Sequence, residues 1–562
     1  MTELPPFVVF FVAALLVAVS GARVRTALTL AAPIVSGGLL LGTELGRYGV
    51  YTIMDYHAVL FRFDALSRLF GYLFNLAALI AAVYALHDRD RSQQLAALVF
   101  AGSALGAVMA GDLITLFVFW ELLALSSVFL IWARGTERAY RAGMRYLLTH
   151  LLGGGLLLAG ILAHIGAGES IGFDFIGADS AAGWLILVAF GIKAGFPLVH
   201  NWITDAYPEG TPSGTVYLSS FTTKVGVYAL ARGYPGTELL IYVGTVMAAY
   251  PIFFAVIEND LRRVLSYSLI NQLGFMVCAI GIGTELALNG AVAQTFSHVI
   301  FKGLLFMSMG AVLHMTGRIN GSDLGGLYKS MPITTVLCII GAASISAFPL
   351  FSGFVTKSMI MSAVLGENYV AVWLVLLFAS AGVFHHAGIK IPFFAFFAHD
   401  AGIRTTDPPR NMLAAMGIAA ALCLAIGIWP EYLYALLPYP VNYAPYTADH
   451  VLAQIQLLFF SALAFIWLKL SGIYPPELNS VNLDVEWLYR RAAPRAWRRL
   501  VQTAVAINAR LDAATGCLLR WLLDGIVALL GVRGIFARSQ STGTMVLWMV
   551  ALLGALLVSY YV

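Results

Sequence analysis

Lysine is scarce in this chain: seven lysines stand against 26 arginines in 562 residues. Charge of either sign is scarce as well, at 11% against 60% hydrophobic residues, with a mean hydropathy of +0.84. That balance excludes a soluble protein of this length and implies a polytopic helical membrane protein. The four cysteines (Cys278, Cys338, Cys423 and Cys517) are scattered and form no CxxC pair. Neither a zinc site nor an iron–sulfur cluster is therefore expected, and no metal or cofactor is assigned. There is no Walker loop, and Gly281-Ile282-Gly283 stands at a helix end rather than after a strand, which excludes a nucleotide fingerprint. The first residues, Met1-Thr2-Glu3-Leu4-Pro5-Pro6, carry no basic segment, so the first apolar run is expected to be a retained helix. The net charge is only +4, and no nucleic-acid partner is expected. Energy must come from an ion gradient or from partner subunits.

What lysine there is falls in unusual places. Lys193, Lys224, Lys302, Lys357 and Lys390 sit inside long apolar stretches, Lys329 reads as a loop residue, and Lys469 lies near the end of an apolar run. Nearly every arginine falls in a polar gap instead. Arginine stays charged almost anywhere, whereas a desolvated lysine can lose its proton near neutrality and act as an acid or base. Five unpaired lysines in a membrane would cost about 12–18 kcal/mol. Water, partners or a neutral state must offset this, so a hydrated polar axis at mid-depth is expected.

Apolar runs of about 20 residues, the length that spans a bilayer, occur at roughly 5–21, 26–43, 67–86, 94–111, 113–133, 143–165, 183–204, 213–232, 238–257, 264–283, 287–316, 332–365, 370–397, 411–430, 451–471 and 544–562. The fold class is all-α and polytopic, with about 14–16 transmembrane helices. Prolines inside two runs, Pro197 and Pro349, predict broken helices. Arginine and lysine concentrate in the gaps after odd-numbered spans (Arg23, Arg25, Arg89, Arg91, Arg134, Arg138, Arg141, Arg145, Arg262, Arg263, Arg318, Lys329, Arg404, Arg410). The other side holds little beyond Arg47, Arg62, Arg68 and Arg232. The first set is expected to be cytoplasmic, with both termini outside. Phe196-Pro197-Leu198 recurs as Phe348-Pro349-Leu350 five spans further on, so the two copies have opposite topology, the arrangement of inverted-repeat transporters.

Between about 484 and 540, Arg490, Arg491, Arg495, Arg498, Arg499, Arg510, Arg520, Arg533 and Arg538 alternate with Trp497, Leu500, Val501, Val505, Leu511, Leu518, Leu519, Leu522 and Ile526. The spacing predicts an amphipathic helix of roughly 35–40 residues, about 55 Å long. It is read either as a lipid anchor or as a brace along neighbouring subunits.

Glu121, after Trp120 in an otherwise apolar span, would cost about 2.5–3.5 kcal/mol unless paired. Lys193 is the nearest in-membrane candidate partner, and a carboxylate that approaches or withdraws would gate its proton; a purely structural pair is the plainer alternative. Lys224 follows in the next span. His298 and Lys302, spaced i and i+4, share a helix face and suit a relay. Lys357 follows the second broken-helix motif. Lys390 shares a span with His385 and His386, where a span-end lysine can also simply snorkel. His200 and Asp205, after Pro197, either line a water access or cap the broken helix.

These residues resemble the antiporter-like proteins shared by Mrp-type cation/proton antiporters, respiratory complex I and membrane-bound hydrogenases. The resemblance covers roughly residues 60–430. It rests on Trp120-Glu121, the run from Lys193 through Pro197 and His200-x-Trp202 to Asp205-Ala206, and Lys224. It continues through Asn259-Asp260-Leu261-Arg262-Arg263-Val264-Leu265-Ser266-Tyr267-Ser268, His298-x-x-x-Lys302, Gly325-Gly326-Leu327 and Ser352-Gly353-Phe354-x-x-Lys357. Lys357, where a glutamate is the alternative, looks closer to the D-type protein of Mrp complexes or to the distal complex I type. Gly388-Ile389-Lys390-Ile391-Pro392 and Asn482-Leu483-Asp484-x-Glu486-Trp487 look most like the Mrp D type, while the tail resembles the lateral helix of the distal complex I subunit.

The resemblance implies a proton path of Glu121, Lys193, Lys224, His298, Lys302, Lys357 and Lys390, with His200, Asp205, His385 and His386 as access or relay residues. It implies an ion-transporter subunit rather than an enzyme, coupling H+ to Na+, with other antiporter-complex membrane subunits and the lipid bilayer as partners. The alternatives are a proton-pumping subunit of a complex I-type or membrane-bound hydrogenase complex, and the energy-coupling subunit of an inorganic-carbon uptake complex. A scaffold without ion flux fits the charge axis poorly. The expected location is a bacterial cytoplasmic (inner) membrane with the lateral helix on the cytoplasmic side. The expected organisation is N-terminal helices (1–92), two antiporter-like repeats (93–236 and 237–400), C-terminal helices (401–475), the lateral helix (476–543) and a final helix (544–562).

Overall fold

The structure, a computed structural model, describes residues 4–53, 56–480, 482–535 and 537–561. It falls into two units, Met1–Asp484 and Val485–Val562. In the first, α1 (Val8–Val19) and α2 (Ala22–Leu41) lead into a β-hairpin, β1 (Gly46–Ile53) and β2 (Tyr56–Phe63), antiparallel with Tyr48 opposite Phe61 and Val50 opposite Val59. Then follow α3 (Ala65–Tyr84), α4 (Arg91–Met109), α5 (Leu113–Trp132), α6 (Glu137–Gly166), α7 (Ala181–Ala194), α8 (Asn201–Ala206), α9 (Pro212–Ser220), α10 (Thr222–Gly233), α11 (Leu239–Ile257), α12 (Leu261–Ile282) and α13 (Glu285–Thr316). The bundle continues with α14 (Pro332–Ile345), α15 (Ser352–Gly366), α16 (Val370–Val383), the short α17 (Lys390–Pro392) between two π-helical turns, α18 (Arg410–Ile428), α19 (Pro430–Tyr434) and α20 (Ala448–Leu470). The second unit consists of α21 (Ala493–Leu530) and α22 (Thr542–Tyr561).

The chain is a multi-pass, all-α membrane protein. Thirteen helices among the described residues are long and apolar enough to cross a membrane, and α1, α7 and α14 are shorter apolar helices. Two features depart from the apolar-run reading. The stretch between the runs at 26–43 and 67–86 holds the two hairpin strands, Gly46–Ile53 and Tyr56–Phe63, whose Tyr, Val, Thr and Phe residues favour strands. The run at 213–232 is interrupted at Phe221, between α9 and α10. The 38 residues of α21 match the length predicted for an amphipathic helix, and none of them is buried within the described structure.

Two polar faces bound the first unit. On one, Asp112 caps α5 through the Thr115 N–H (2.7 Å), accepts the Val59 N–H of the hairpin (2.8 Å) and pairs in a β-bridge with Gly172. Arg62 and Arg232 grip Asp64 on the same face, and Arg62 also reaches Asp174 at 2.6 Å. On the other, Asp260 caps α12 and bridges to Asn320. There the buried Arg262 donates to the carbonyls of Pro208 and Gly210 (both 3.0 Å), Arg134 reaches Pro208 O at 2.7 Å, and Arg138 pairs with Glu209 at 2.7 Å. The arginine-poor and arginine-rich sides expected from the loops are thus two distinct faces. The two bridges are offset alike: 112 to 260 and 172 to 320 are the same displacement of 148 positions.

At the centre, α12 and α13 are almost wholly buried. Gly244 and Gly274 let α11 and α12 meet backbone to backbone: a Cβ on Gly274 would lie 2.3 Å from Ala248 N. That approach brings the Asn271 amide onto the Ala248 carbonyl.

Candidate functional site

Both Phe-Pro-Leu copies fold alike. Proline pre-sets φ at the second position of a turn, leucine takes the left-handed third position (Leu198 φ 73, Leu350 φ 74), and the turn closes from Val199 N–H to Phe196 O (3.2 Å) and from Phe351 N–H to Phe348 O (3.1 Å). A bulky residue with φ above zero is costly and persists only where its surroundings hold it. Each break exposes carbonyls at the end of the preceding half-helix, and each is satisfied by a side chain from beyond the turn. Trp202 Nε1 donates to Ile192 O (2.9 Å), and Lys357 Nζ donates to Ile345 O (3.1 Å). Because α7 starts from the hairpin face and α14 from the arginine-rich face, the two breaks run in opposite senses.

The five in-membrane lysines are all buried, none more than 2% exposed. Lys193, near the end of α7, donates to Trp120 O at 3.1 Å and lies over the Trp120 indole, 4.2 Å from its centroid. Glu121, on α5, is half-buried; its Oε1 is buried without a hydrogen-bond partner among the described residues and sits where a Cβ on Gly154 of α6 would be, 1.5 Å away. It lies within electrostatic range of Lys193, and no ion pair joins the two among the described residues. At the first turn of α10, Lys224 donates to Ser219 O (2.6 Å) and Thr223 Oγ1 (3.2 Å), which satisfies the interruption at Phe221. The α7 and α10 backbones touch at Gly226, where a Cβ would meet Ala194 N at 2.7 Å.

Lys302 Nζ and both ring nitrogens of His298 are buried on α13 without a hydrogen-bond partner among the described residues. Lys302 lies within electrostatic range of Lys224, and His298 within range of Lys224, Lys302 and Lys357. His386, also buried, lies within range of Lys302 and Lys390. His385 packs against Phe465 and Tyr474. The residues therefore form a row from α5 through α7, α10 and α13 to α15 and α17. Lys390 ends it differently: it donates to Ala255 O (3.3 Å), Val256 O (2.7 Å) and Glu258 O (2.6 Å), the carbonyls at the C-terminus of α11, and pairs with Glu477 at 3.0 Å. Asp205 is held by Arg145 through two bonds of 2.6 and 3.0 Å, and His200 Nε2 faces Asp484 Oδ2 at 3.3 Å.

Sequence reading missed several members. His150 of α6 is buried beside Tyr146 and Trp202 within range of Lys193, and its Nε2 is unbonded among the described residues; its spacing of one turn from Gly154, on the face that meets Glu121, was the available signal. A chain of amides crosses the centre. Thr356 Oγ1 donates to Gln294 Oε1 (2.6 Å), Gln294 Nε2 to Gln272 Oε1 (2.8 Å), and Gln272 Nε2 to Asn271 Oδ1 (2.8 Å). Gln294, His298 and Lys302 form one i, i+4, i+8 stripe on α13, legible in retrospect. A cleft of about 440 Å³ between α15, α16 and α20, lined by Lys357, Ser358, Ser362, His450 and Gln454, reaches the second break. No group of three or more His, Cys, Asp or Glu side chains is placed to hold a metal among the described residues.

The architecture is that of a polytopic membrane protein with buried cations strung along two oppositely directed broken helices, the form that carries ions across membranes. Residues 110–385 match the family described as NADH:quinone oxidoreductase/Mrp antiporter, TM, and the chain belongs to this complex I-like antiporter family. It is 32% identical over 310 residues to the D component of the Na(+)/H(+) antiporter of Alkalihalophilus pseudofirmus, covering 50% of this chain and 62% of that protein. It is 30% identical to the A/B component of a probable K(+)/H(+) antiporter of Rhizobium meliloti, covering 66% and 40%, and 25% identical to hydrogenase-4 component B of Escherichia coli, covering 78% and 72%. The chain thus spans between 40% and 62% of the length of the two antiporter relatives. Its fold matches a chain of the Mrp complex from Dietzia sp. DQ12-45-1b (TM-score 0.68, 22% identity, 83% of this chain and 98% of that one). It also matches a chain of the membrane-bound sulfane sulfur reductase, an archaeal respiratory membrane complex (TM-score 0.71, 22% identity, 99% and 100%).

Proposed function

We propose that this chain is the proton-translocating membrane subunit of a multisubunit Na+/H+ antiporter, a transporter component rather than an enzyme, moving protons along Glu121, Lys193, Lys224, His298, Lys302 and Lys357. The supporting observation is the row of buried lysines and histidines across two oppositely directed breaks, several of them with no hydrogen-bond partner among the described residues. An unpartnered buried ammonium has no structural reason to be there, because a neutral apolar residue would pack at lower cost. Residues 93–236 and 237–400 act as the two inverted repeats, other membrane subunits are the partners, and the location is a bacterial inner membrane with the arginine-rich face inward. Everted vesicles carrying the whole complex should show Na+-dependent dissipation of a pH gradient, lost in Glu121→Ala, Lys193→Ala and Lys224→Ala without loss of assembly. Near-normal exchange in all three sinks the reading.

A second reading, a member of a redox-driven complex, is favoured by the α21–α22 tail. The fold match to the sulfane sulfur reductase chain extends over 99% of this chain, against 83% for the Mrp chain. Copurification of redox subunits, together with proton transport that ignores Na+, would decide for it.

A further inference from the structure

Residues 471–480 and 482–484, between α20 and the second unit, are stitched along the arginine-rich face. Glu477 Oε1 lies 3.0 Å from Lys390 Nζ. Asn479 Oδ1 accepts from Asn259 Nδ2 (2.8 Å) and Asn320 Nδ2 (3.3 Å), and Asn482 Nδ2 donates to Glu258 Oε2 (3.2 Å). The strap ends at Asp484, which accepts from Tyr267 (2.8 Å) and from Tyr250 and faces His200 Nε2 at 3.3 Å. The Asp484 and His200 side chains are each only 1% exposed.

A polar cluster so deeply buried needs a reason, and its geometry supplies one. His200 stands at the N-cap of α8, directly after the first break. One ring nitrogen meets a carboxylate, while the other, Nδ1, is buried with no partner among the described residues. An imidazole that can take a proton on one nitrogen and release another from the opposite one is a relay. Lys390 shows how the strap is held. Its three carbonyl bonds cap the end of α11, and its charge holds Glu477, so the strap is latched to the same helix that carries Tyr250.

We propose that Asp484 is the proton port of the first broken helix, passing protons between the arginine-rich face and His200, with the Glu477–Lys390 pair as the latch that keeps it in register. The port rests on the proton-translocating reading above. Inward transfer moves the Asp484 O–H proton to His200 Nε2 and releases the Nδ1 proton into the break. Water on the arginine-rich face reprotonates the carboxylate, and a flip of the ring presents the bare Nδ1 to it, so that the next proton enters at Nδ1 and leaves from Nε2, which returns the ring to its starting tautomer. Glu477 and Lys390 are positioning residues and exchange no proton in this step.

The test uses the whole complex in everted vesicles, with cation-driven proton flux measured in H2O and D2O. Asp484→Asn is expected to assemble and to slow flux about tenfold or more, with a solvent isotope effect larger than that of the unaltered complex, because proton delivery becomes limiting. Asp484→Glu should recover most of the rate, and Glu477→Gln should fall between the two. If Asp484→Asn does not assemble, His200→Gln carries the same expectation. Full-rate flux in the Asp484 or His200 variant, or slow flux with an unchanged isotope effect, overturns the port; full-rate flux in Glu477→Gln overturns the latch. Lys193→Ala separates the two levels. If it is inactive while Asp484→Asn runs at full rate, only the port fails; if it transports normally, the proposed function fails and the port with it.

Discussion

Lys193 gives its hydrogen bond to the main-chain carbonyl of Trp120, 3.1 Å away, and not to the carboxylate one residue further on. The Glu121 side chain points instead at Gly154 of α6, its Oε1 buried and unbonded among the described residues. A half-buried acid and a buried base are thus held apart within electrostatic range. A small side-chain displacement changes their attraction strongly, because the Coulomb energy in a poorly hydrated interior is several times its value in water.

The glycine that makes room for this carboxylate is the most direct handle on it. In Gly154→Ala the new methyl occupies the position of Glu121 Oε1, and the carboxylate must move. Transport should fall by up to about a hundredfold, the scale of losses from misplacing a reacting group by an ångström, while assembly is retained. Gly155→Ala, with nothing within 4 Å of the added carbon, should transport normally. Proton flux of both variants in the same vesicles checks this, and equal rates would refute it.

Lys302 separates function from stability. Its ammonium is buried without a hydrogen-bond partner among the described residues, so Lys302→Met removes a desolvation penalty and leaves no acceptor orphaned. The variant should unfold no earlier than the unaltered protein in a thermal melt and yet be unable to transport. Lys224→Met, which abandons the Ser219 carbonyl, should cost about 1–3 kcal/mol of stability as well. A melt in which Lys302→Met is the less stable of the two would contradict this account.

Asp64 makes stability on the hairpin face depend on pH. Burial pushes its carboxyl up, but the Arg232 fork, the Ser67 N–H and Arg62 pull it further down, so the net shift is downward from the usual carboxylate value. A folded pKa below the unfolded one, about 3.9, contributes stability that is complete above roughly pH 4 and disappears as pH falls through the folded value. Asp64→Asn keeps the helix cap but loses the ion pairs. It should lower stability by about 1–3 kcal/mol at pH 7, and the gap should narrow at pH 3 without closing, because the folded carboxyl still keeps most of its charge there. Melting temperatures at the two pH values measure it, and a constant gap would rule it out.

Sidedness has a chemical test. Cys278, Cys338 and Cys423 are buried, and Cys517 on α21 is exposed. A membrane-impermeant maleimide should modify Cys517 alone in the undenatured protein. If α21 lies on the inner side, labelling occurs in everted vesicles and not in intact cells. The reverse pattern would move the helix to the outer side.

Much of the candidate site was legible because the membrane makes charge conspicuous. Lys193, Lys224, Lys302, Lys357 and Lys390 stand out from apolar runs, and they are the residues buried in the bundle. The two Phe-Pro-Leu turns were legible for a similar reason, since proline inside an apolar run removes a helical hydrogen bond and forces the helix to kink or break. What could not be read were contacts between residues distant in the chain. His150 and Gln294 carry no special local pattern, and their importance appears only when α6 meets α5 and α13 meets α12. Arg262 read as one more loop arginine marking topology. In the structure it is a fully buried clasp on the carbonyls of residues 208–211, because the start of α12 is covered by that loop.

The amino-acid sequence by itself determined that this protein is a helical bundle in a membrane, which face carries the arginines, where two helices break and which cations lie inside. Those properties follow from transfer free energy and from backbone restriction by proline, which act residue by residue. Only the tertiary structure decided who partners whom: Lys193 with Trp120 O, Lys357 with Ile345 O, Lys390 with Glu477, and His200 with Asp484, 284 positions away. Hydrogen bonds and ion pairs act over about 3 Å, and no local pattern specifies which distant segments approach that closely.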